Sequence, residues 1–316
     1  MTSPPMETKN QIQPRSPLSR TVDRGFVWLT LLFALGVAGI LLAIVMVVAI
    51  EAWPAIQQFG GQFLVNREWD PNRNIYGTLP QIYGTIVTSA IALLLAVPVG
   101  VGIAIFLSEN YLPPNLQLAI VFLVELLAAI PSVVYGFWGI FVLIPILKDL
   151  GQGINEHFGW LPIFSTPPAG PGMLPAGVIL SIMILPTIAA ISRDALISLP
   201  SDLRQAAFGL GATRWETILK VLLPAAFSGI VGAIMLALGR AIGETMAVTL
   251  VIGNNNNISP SIFAPANTIP SLLANQFGEA DDLQKAALLY AALILFGLTL
   301  IVNVLAQLLV RRVQRI

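Results

Sequence analysis

The sequence predicts an all-α polytopic membrane protein with six transmembrane helices. Three observations carry that prediction. Of 316 residues, 56% are hydrophobic and only 10% charged, whereas a soluble domain is about a quarter charged. Charge-free runs recur at 25–50, 74–108, 126–147, 158–192, 221–239, 245–278 and 286–310, and several exceed the ~20 residues a helix needs to cross the hydrocarbon core. The runs are continuous, unlike the short alternating segments of a barrel.

The elements follow in order. Residues 1–24 are polar and Pro-rich, and are expected to form a disordered cytoplasmic tail. Span one, 26–50, follows Arg20 and Arg24 as a signal peptide would. Its apolar stretch of 26 residues is longer than the roughly 7–15 of a cleaved signal, and no small-x-small cleavage site follows, so it reads as a retained anchor within 25–50. After a loop at 51–80 come spans at 81–107, 117–146, 174–192, 225–250 and 286–310, in a core of 81–312. The third is too long for one straight crossing, and Pro131 is expected to kink it; two re-entrant pieces are the lesser alternative.

Orientation follows the basic residues. Lys9, Arg15, Arg20, Arg24, Arg193, Arg204, Arg214, Lys220, Arg311, Arg312 and Arg315 fall on one side, eleven against the four of Arg67, Arg73, Lys148 and Lys285. Six spans then put both termini and the 193–223 loop in the cytoplasm, with 51–80, 147–173 and 251–284 outside.

Several classes are excluded. There is no cysteine, so no disulfide, thiol catalysis or thiolate metal site is expected. The single His157 lacks ligand company, so no metal is expected. A net charge of zero argues against a nucleic-acid partner. No internal repeat of the kind found in inverted-repeat secondary transporters is evident, and no nucleophile–base pair marks an intramembrane enzyme.

The 193–223 loop reads as two short helices. Ser201 after Pro200 is positioned to cap the first, with Asp202 in its first turn. Gly209 and Gly211 can end it. Thr213 with Glu216 is a capping box opening the second. Ala206 and Ala207 give the first helix a small face that another protein's backbone can approach.

Span five carries Arg240, 16 residues past Pro224, up to ~24 Å along a helix. An arginine near mid-bilayer costs at least ~2.5–3.5 kcal/mol and needs a partner. Glu244 lies one turn on, on the same face if the helix continues, and Gly239 and Gly243 thin the helix beside it. Arginine's planar donor fork suits an oxyanion. A carboxylate beside it suits one that keeps a proton, as phosphate does near neutral pH and sulfate does not; an oxyanion without a donor leaves the acceptor unpaired. Thr245, and more weakly Glu125, Thr85 and Thr88, are further candidates for the path. Glu125 is placed to pair with Arg240 or to line the path; threonines in spans also serve as helix glue.

Gln205-Ala206-Ala207, three residues, Gly211, nine residues, Val221, one residue, Leu223-Pro224 resembles the EAA loop of ABC importer permeases. Gln205 stands for the usual Glu and Val221 for Ile. Together with Tyr76–Thr85, Ala128–Gly136, Gly239–Val248 and Val251–Asn254, it makes the chain similar to the permeases of bacterial phosphate ABC importers. The resemblance implies a type I (MetI-like) permease core with one extra N-terminal helix. It implies inorganic phosphate as cargo, passing Arg240 and Glu244, and a bacterial inner-membrane location. It further implies a second permease subunit, an ATPase dimer gripping Gln205, Ala206, Ala207, Gly211, Leu223 and Pro224, and a periplasmic phosphate-binding protein. No lysine here follows a Walker glycine pattern, so ATP and Mg²⁺ are expected in the partner ATPase and no cofactor in this chain. A sulfate or molybdate permease and, more distantly, an ion-coupled secondary transporter are the competing readings.

Overall fold

The computed structural model of the chain describes residues 17–109 and 111–313, with side chains from Asp23 to Leu308, Asn110 excepted, and at Arg312. The expected disordered tail lies outside the described residues as far as 16; from Pro17 the chain is helical. The structure divides into two units, residues 1–50 and 51–316. Helix α1, Pro17–Phe59, contains all of span one and continues past it.

The larger unit is built from α2 (Leu79–Ser108), α3 (Pro114–Ala128), α4 (Ser132–Trp138), α5 (Ile144–Phe158), α6 (Met173–Ile197), α7 (Ser201–Gly209), α8 (Arg214–Thr217), α9 (Leu223–Gly243), α10 (Met246–Val251), α11 (Ile269–Gln276) and α12 (Asp282–Val313). Among the described residues, six helical stretches are long and apolar enough to cross a membrane: 23–64, 79–108, 132–158, 173–197, 214–243 and 282–308.

Two of these stretches contain π turns, Gly139–Leu143 between α4 and α5 and Ile218–Leu222 between α8 and α9. Each ends two residues before a proline, Pro145 or Pro224. Proline removes an N–H and its ring meets the carbonyl four residues back. Widening the preceding turn relieves that clash without ending the helix.

Helices α2 and α6 form the centre, and glycines set how closely they approach. A Cβ on Gly177 would lie 2.5 Å from Ile91 Cγ2, and one on Gly100 would lie 2.8 Å from Ile188 Cγ2. The core around them holds Ala92, Ala96, Met183, Ile184 and Ile188, joined by Ala237, Ala241 and Val248 from α9 and α10.

At one end of the unit, loops interlock. Gly172, Met173 and Leu174 donate backbone hydrogen bonds to Val251, Ala264 and Ile262. Phe63 stacks on Tyr290 at 4.5 Å, beside Trp69 and Tyr76. At the other end, Leu196, Ile218, Leu222, Ala226 and Ala104 pack α6, the π turn and α9 against α2.

Two sequence expectations change here. The third span, drawn as 117–146 with a kink, is two helices separated at 129–131. Pro131 has no N–H to continue the ladder and biases Ile130 away from α. Span five, drawn as one helix over 225–250, ends at Gly243 and restarts at Met246.

Candidate functional site

The break in span five falls on the residues that the sequence singles out. Arg240 sits in the last turn of α9. Glu244 follows the helix in an extended conformation, φ −68° and ψ 126°, so it does not share a helical face with Arg240. Its Oε1 accepts a hydrogen bond from Ala247 N at 3.2 Å, three residues on, as a capping carboxylate does at a helix start. Thr245 Oγ1 donates to Gly243 O at 3.2 Å. The sequence expectation of an intrahelical Arg240–Glu244 pair is therefore corrected: among the described residues no ion pair joins them. The carboxylate has exchanged a turn of α-helix for a cap on α10.

The second break lies alongside. Helices α4 and α10 cross closely, since a Cβ on Gly136 would stand 2.5 Å from Leu250 Cδ1 and 3.2 Å from Ala247 Cα. Tyr135, buried on α4, donates its hydroxyl to Leu127 O at 2.8 Å, in the last turn of α3. That carbonyl has lost its i+4 donor, since Pro131 has no N–H, and it also accepts from Ile130 N at 3.4 Å. Tyr135 shares a buried cluster with Ala241, the residue after Arg240. The arrangement joins two interrupted helices, a half-buried cation and a carboxylate within one core. Interrupted spans of this kind free backbone groups and charges for a ligand path.

The weaker path candidates lie elsewhere. Thr85 Oγ1 donates to Gln81 O and accepts from Ile269 N; Thr88 Oγ1 donates to Gly84 O. Both are buried, and both hydroxyls are committed to backbone. Glu125 does not meet Arg240. It lines an open groove of about 620 Å³ with Arg193, Asn115 and Phe122. Arg193, Glu109 and Tyr135 were not among the sequence candidates. Tyr135 lies within the Ala128–Gly136 stretch, and an aromatic four residues past an intramembrane proline is the available signal.

The 193–223 loop folds as two short helices. The capping box forms, with Thr213 Oγ1 accepting from Glu216 N at 3.3 Å and Glu216 Oε2 accepting from Thr213 N at 3.0 Å. Helix α7 ends in a Schellman turn: Gly211 has φ +82°, Gly211 N bonds Phe208 O, and Ala212 N bonds Ala207 O. Gly211 holds the left-handed position, and Gly209 is simply the last helical residue. Ser201 does not cap α7; Pro200 occupies that position and the Ser201 hydroxyl points to Asp202. The two alanines separate. Ala206 is exposed while Ala207 is buried at 7%, so only Ala206 belongs to the outward face. That face also shows Gln205, Phe208, Trp215 and Leu210, the last 90% exposed. Leu223 and Pro224 begin α9.

The chain thus combines an outward apolar face on the 193–223 loop with a charged break inside a span. Residues 96–315 match the profile of the binding-protein-dependent transport system inner membrane component family. The chain belongs to this family. It is a multi-pass inner-membrane permease, a transport subunit and not itself catalytic. The matched residues contain both the 193–223 loop and the Arg240 break.

Within the family the chain is 45% identical over 300 residues to the phosphate transport system permease protein PstC of Haemophilus influenzae, covering 93% of this chain and 95% of that one. The permease fold recurs in solved structures. A bacterial ABC transporter involved in import of the acidic polysaccharide alginate matches 94% of this chain and 99% of its own, at 17% identity and a TM-score of 0.60. The MetNI methionine ABC transporter, inward facing, matches 75% of this chain and 94% of its own, at 20% identity and a TM-score of 0.51.

Proposed function

We propose that this permease forms half of the path for inorganic phosphate in an ATP-driven importer and that Arg240 and Glu244 meet the ion. The observation that carries the reading is the interrupted span, where a cation and an acceptor flank a break without neutralising each other. Arg240 supplies donors to the phosphate oxygens. Glu244 keeps one carboxylate oxygen on Ala247 N and offers the other to the proton phosphate retains. Thr245 adds a hydroxyl at the break.

The partners follow from the fold and the relatives. A second permease subunit, PstA-like, completes the path. A PstB-like ATPase dimer holds ATP and Mg²⁺ and grips the exposed face of α7–α8. A PstS-like periplasmic binding protein delivers phosphate to the opposite end. Both termini and the 193–223 loop then face the cytoplasm, a reading the distribution of basic residues supports.

The test is uptake of labelled phosphate by proteoliposomes holding the complete complex. A charge-assisted hydrogen bond is worth about 1.5–3 kcal/mol, so Arg240→Ala and Glu244→Gln should each lower uptake about tenfold or more. The ATPase subunits should still copurify. Near-normal uptake by both variants overturns the assignment.

A further inference from the structure

Three charges around the 193–223 loop stand at the ends of their helices that local preference disfavours. A helix favours acids at its N-terminus, where unpaired N–H groups gather, and bases at its C-terminus, where unpaired carbonyls gather. Glu109 follows the last turn of α2 as its C-cap. Arg204 is the fourth residue of α7, and Arg214 opens α8. Helix dipoles alone would reverse all three signs.

Tertiary contacts account for each of them. Arg204 Nη2 lies 3.0 Å from Glu109 Oε1, with side-chain exposures of 26% and 12%. The contact is an ion pair by distance and lacks hydrogen-bond alignment at Nη2. The Arg214 guanidinium stands 5.5 Å from the ring centroid of Tyr111, and that ring stacks on Phe106 of α2 at 5.9 Å. Glu109 and Tyr111 belong to the one turn between α2 and α3. Gln117 of α3 donates to Leu107 O and ties that turn to the end of α2. The turn thus meets both short helices of the loop, α7 through Arg204 and α8 through Arg214.

The remaining supports of the loop are apolar and lie beneath it. Ala207 points inward, and Ile218 and Leu222 pack with Ala104 and Leu196. Apolar burial is non-directional, so it holds the loop down. The two cation contacts lie on either side of the Gly211 turn and fix how α7 and α8 are turned.

We propose that Glu109 and Tyr111 are the seat of the ATPase-docking loop: they hold Arg204 and Arg214 so that α7 and α8 present Ala206, Leu210 and Trp215 in one orientation before the ATPase arrives. This rests on the docking reading above. Glu109, Tyr111, Arg204 and Arg214 are positioning residues; they act on the loop and touch neither the ATPase nor the ion. A loop held ready needs less ordering when its partner binds. The Glu109–Arg204 pair is shielded enough to resist opening, since separation leaves a desolvated charge; a freely exposed pair would hold little.

The experiment titrates labelled ATPase subunit into nanodiscs holding both permease subunits and reads the dissociation constant. Glu109→Gln should weaken docking about fivefold and Tyr111→Leu about twofold, with the melting temperature of the permease pair unchanged. Tyr111→Phe keeps the ring and should bind as wild type. Glu109→Arg or Arg204→Glu alone gives a helix end the charge it favours but sets like charges together, and each should weaken docking about tenfold. Combined, they restore an ion pair with both charges at favoured ends, and wild-type affinity should return. Local helix stability alone would make the two single reversals bind better, and direct contact of Arg204 with the ATPase would leave the swap unrescued; either result overturns the proposal. So does wild-type affinity in both Glu109→Gln and Tyr111→Leu, or a melting temperature that falls in step with docking. Ala206→Trp separates the two readings. If it abolishes docking while Glu109→Gln binds as wild type, the seat fails and the docking face stands. If it too binds as wild type, the docking reading fails and takes the seat with it.

Discussion

At the scale of single residues, the loop proposed to dock the ATPase depends on which way each small side chain points. Ala206 is exposed and Ala207 is buried against the body of the permease. Enlarging the two should therefore fail differently. Ala206→Trp should leave thermal stability of the isolated permease unchanged and abolish copurification of the ATPase. Ala207→Trp should overpack a closed site, costing about 1–3 kcal/mol, and lower the melting temperature measured in detergent. Gly211 stands apart because of its φ of +82°. A Cβ there meets nothing within 4 Å, so the penalty is purely conformational. Gly211→Val should cost about 1–2 kcal/mol in the turn, seen as faster proteolysis of the loop and weaker coupling, with no clash elsewhere. The capping box and the glycine turn were legible in the sequence because they are local: spacing and residue type determine them. The inward turn of Ala207 and the meeting of Glu125 and Arg193 on one groove were not, since both depend on which helix stands opposite.

At the scale of elements, the spans were legible because a bilayer demands long apolar helices. The two interruptions were less so, because hydropathy does not register whether a helix is continuous. Pro131 signalled the first, read as a kink where the chain in fact breaks. The second has no proline. Glu244 leaves α9 to cap α10, and Gly243 before it makes the exit cheap, since glycine is a poor helix former. That accounts for the missed geometry of the Arg240–Glu244 pair: the i, i+4 spacing has meaning only on an unbroken helix. The breaks give a further expectation. Pro131→Ala restores an N–H that can bond Leu127 O, in competition with the Tyr135 hydroxyl. The variant should fold and assemble, with phosphate uptake reduced. Unimpaired uptake would show that the break plays no part in transport.

At the scale of the whole molecule, the permease separates two chemistries by distance. Interlocked loops and an aromatic cluster gather at one end, around Phe63, Trp69, Tyr76 and Tyr290. The cationic 193–223 loop lies at the other, around Arg204 and Arg214. The basic residues are the ground for proposing that the second end faces the cytoplasm. The absence of cysteine makes this directly testable, because any introduced thiol is unique. Ser165 is exposed near the loops that meet α6, and Ser198 is exposed at the other end of α6. A membrane-impermeant maleimide applied to spheroplasts should label Ser165→Cys, and should label Ser198→Cys only after the membrane is opened. The 25 residues of α6 between them span about 37 Å, more than the ~30 Å hydrocarbon core, so the two positions cannot share a side while α6 crosses. Labelling of Ser198→Cys in sealed spheroplasts would reverse the orientation. It would also move the docking face away from the ATP it is proposed to meet.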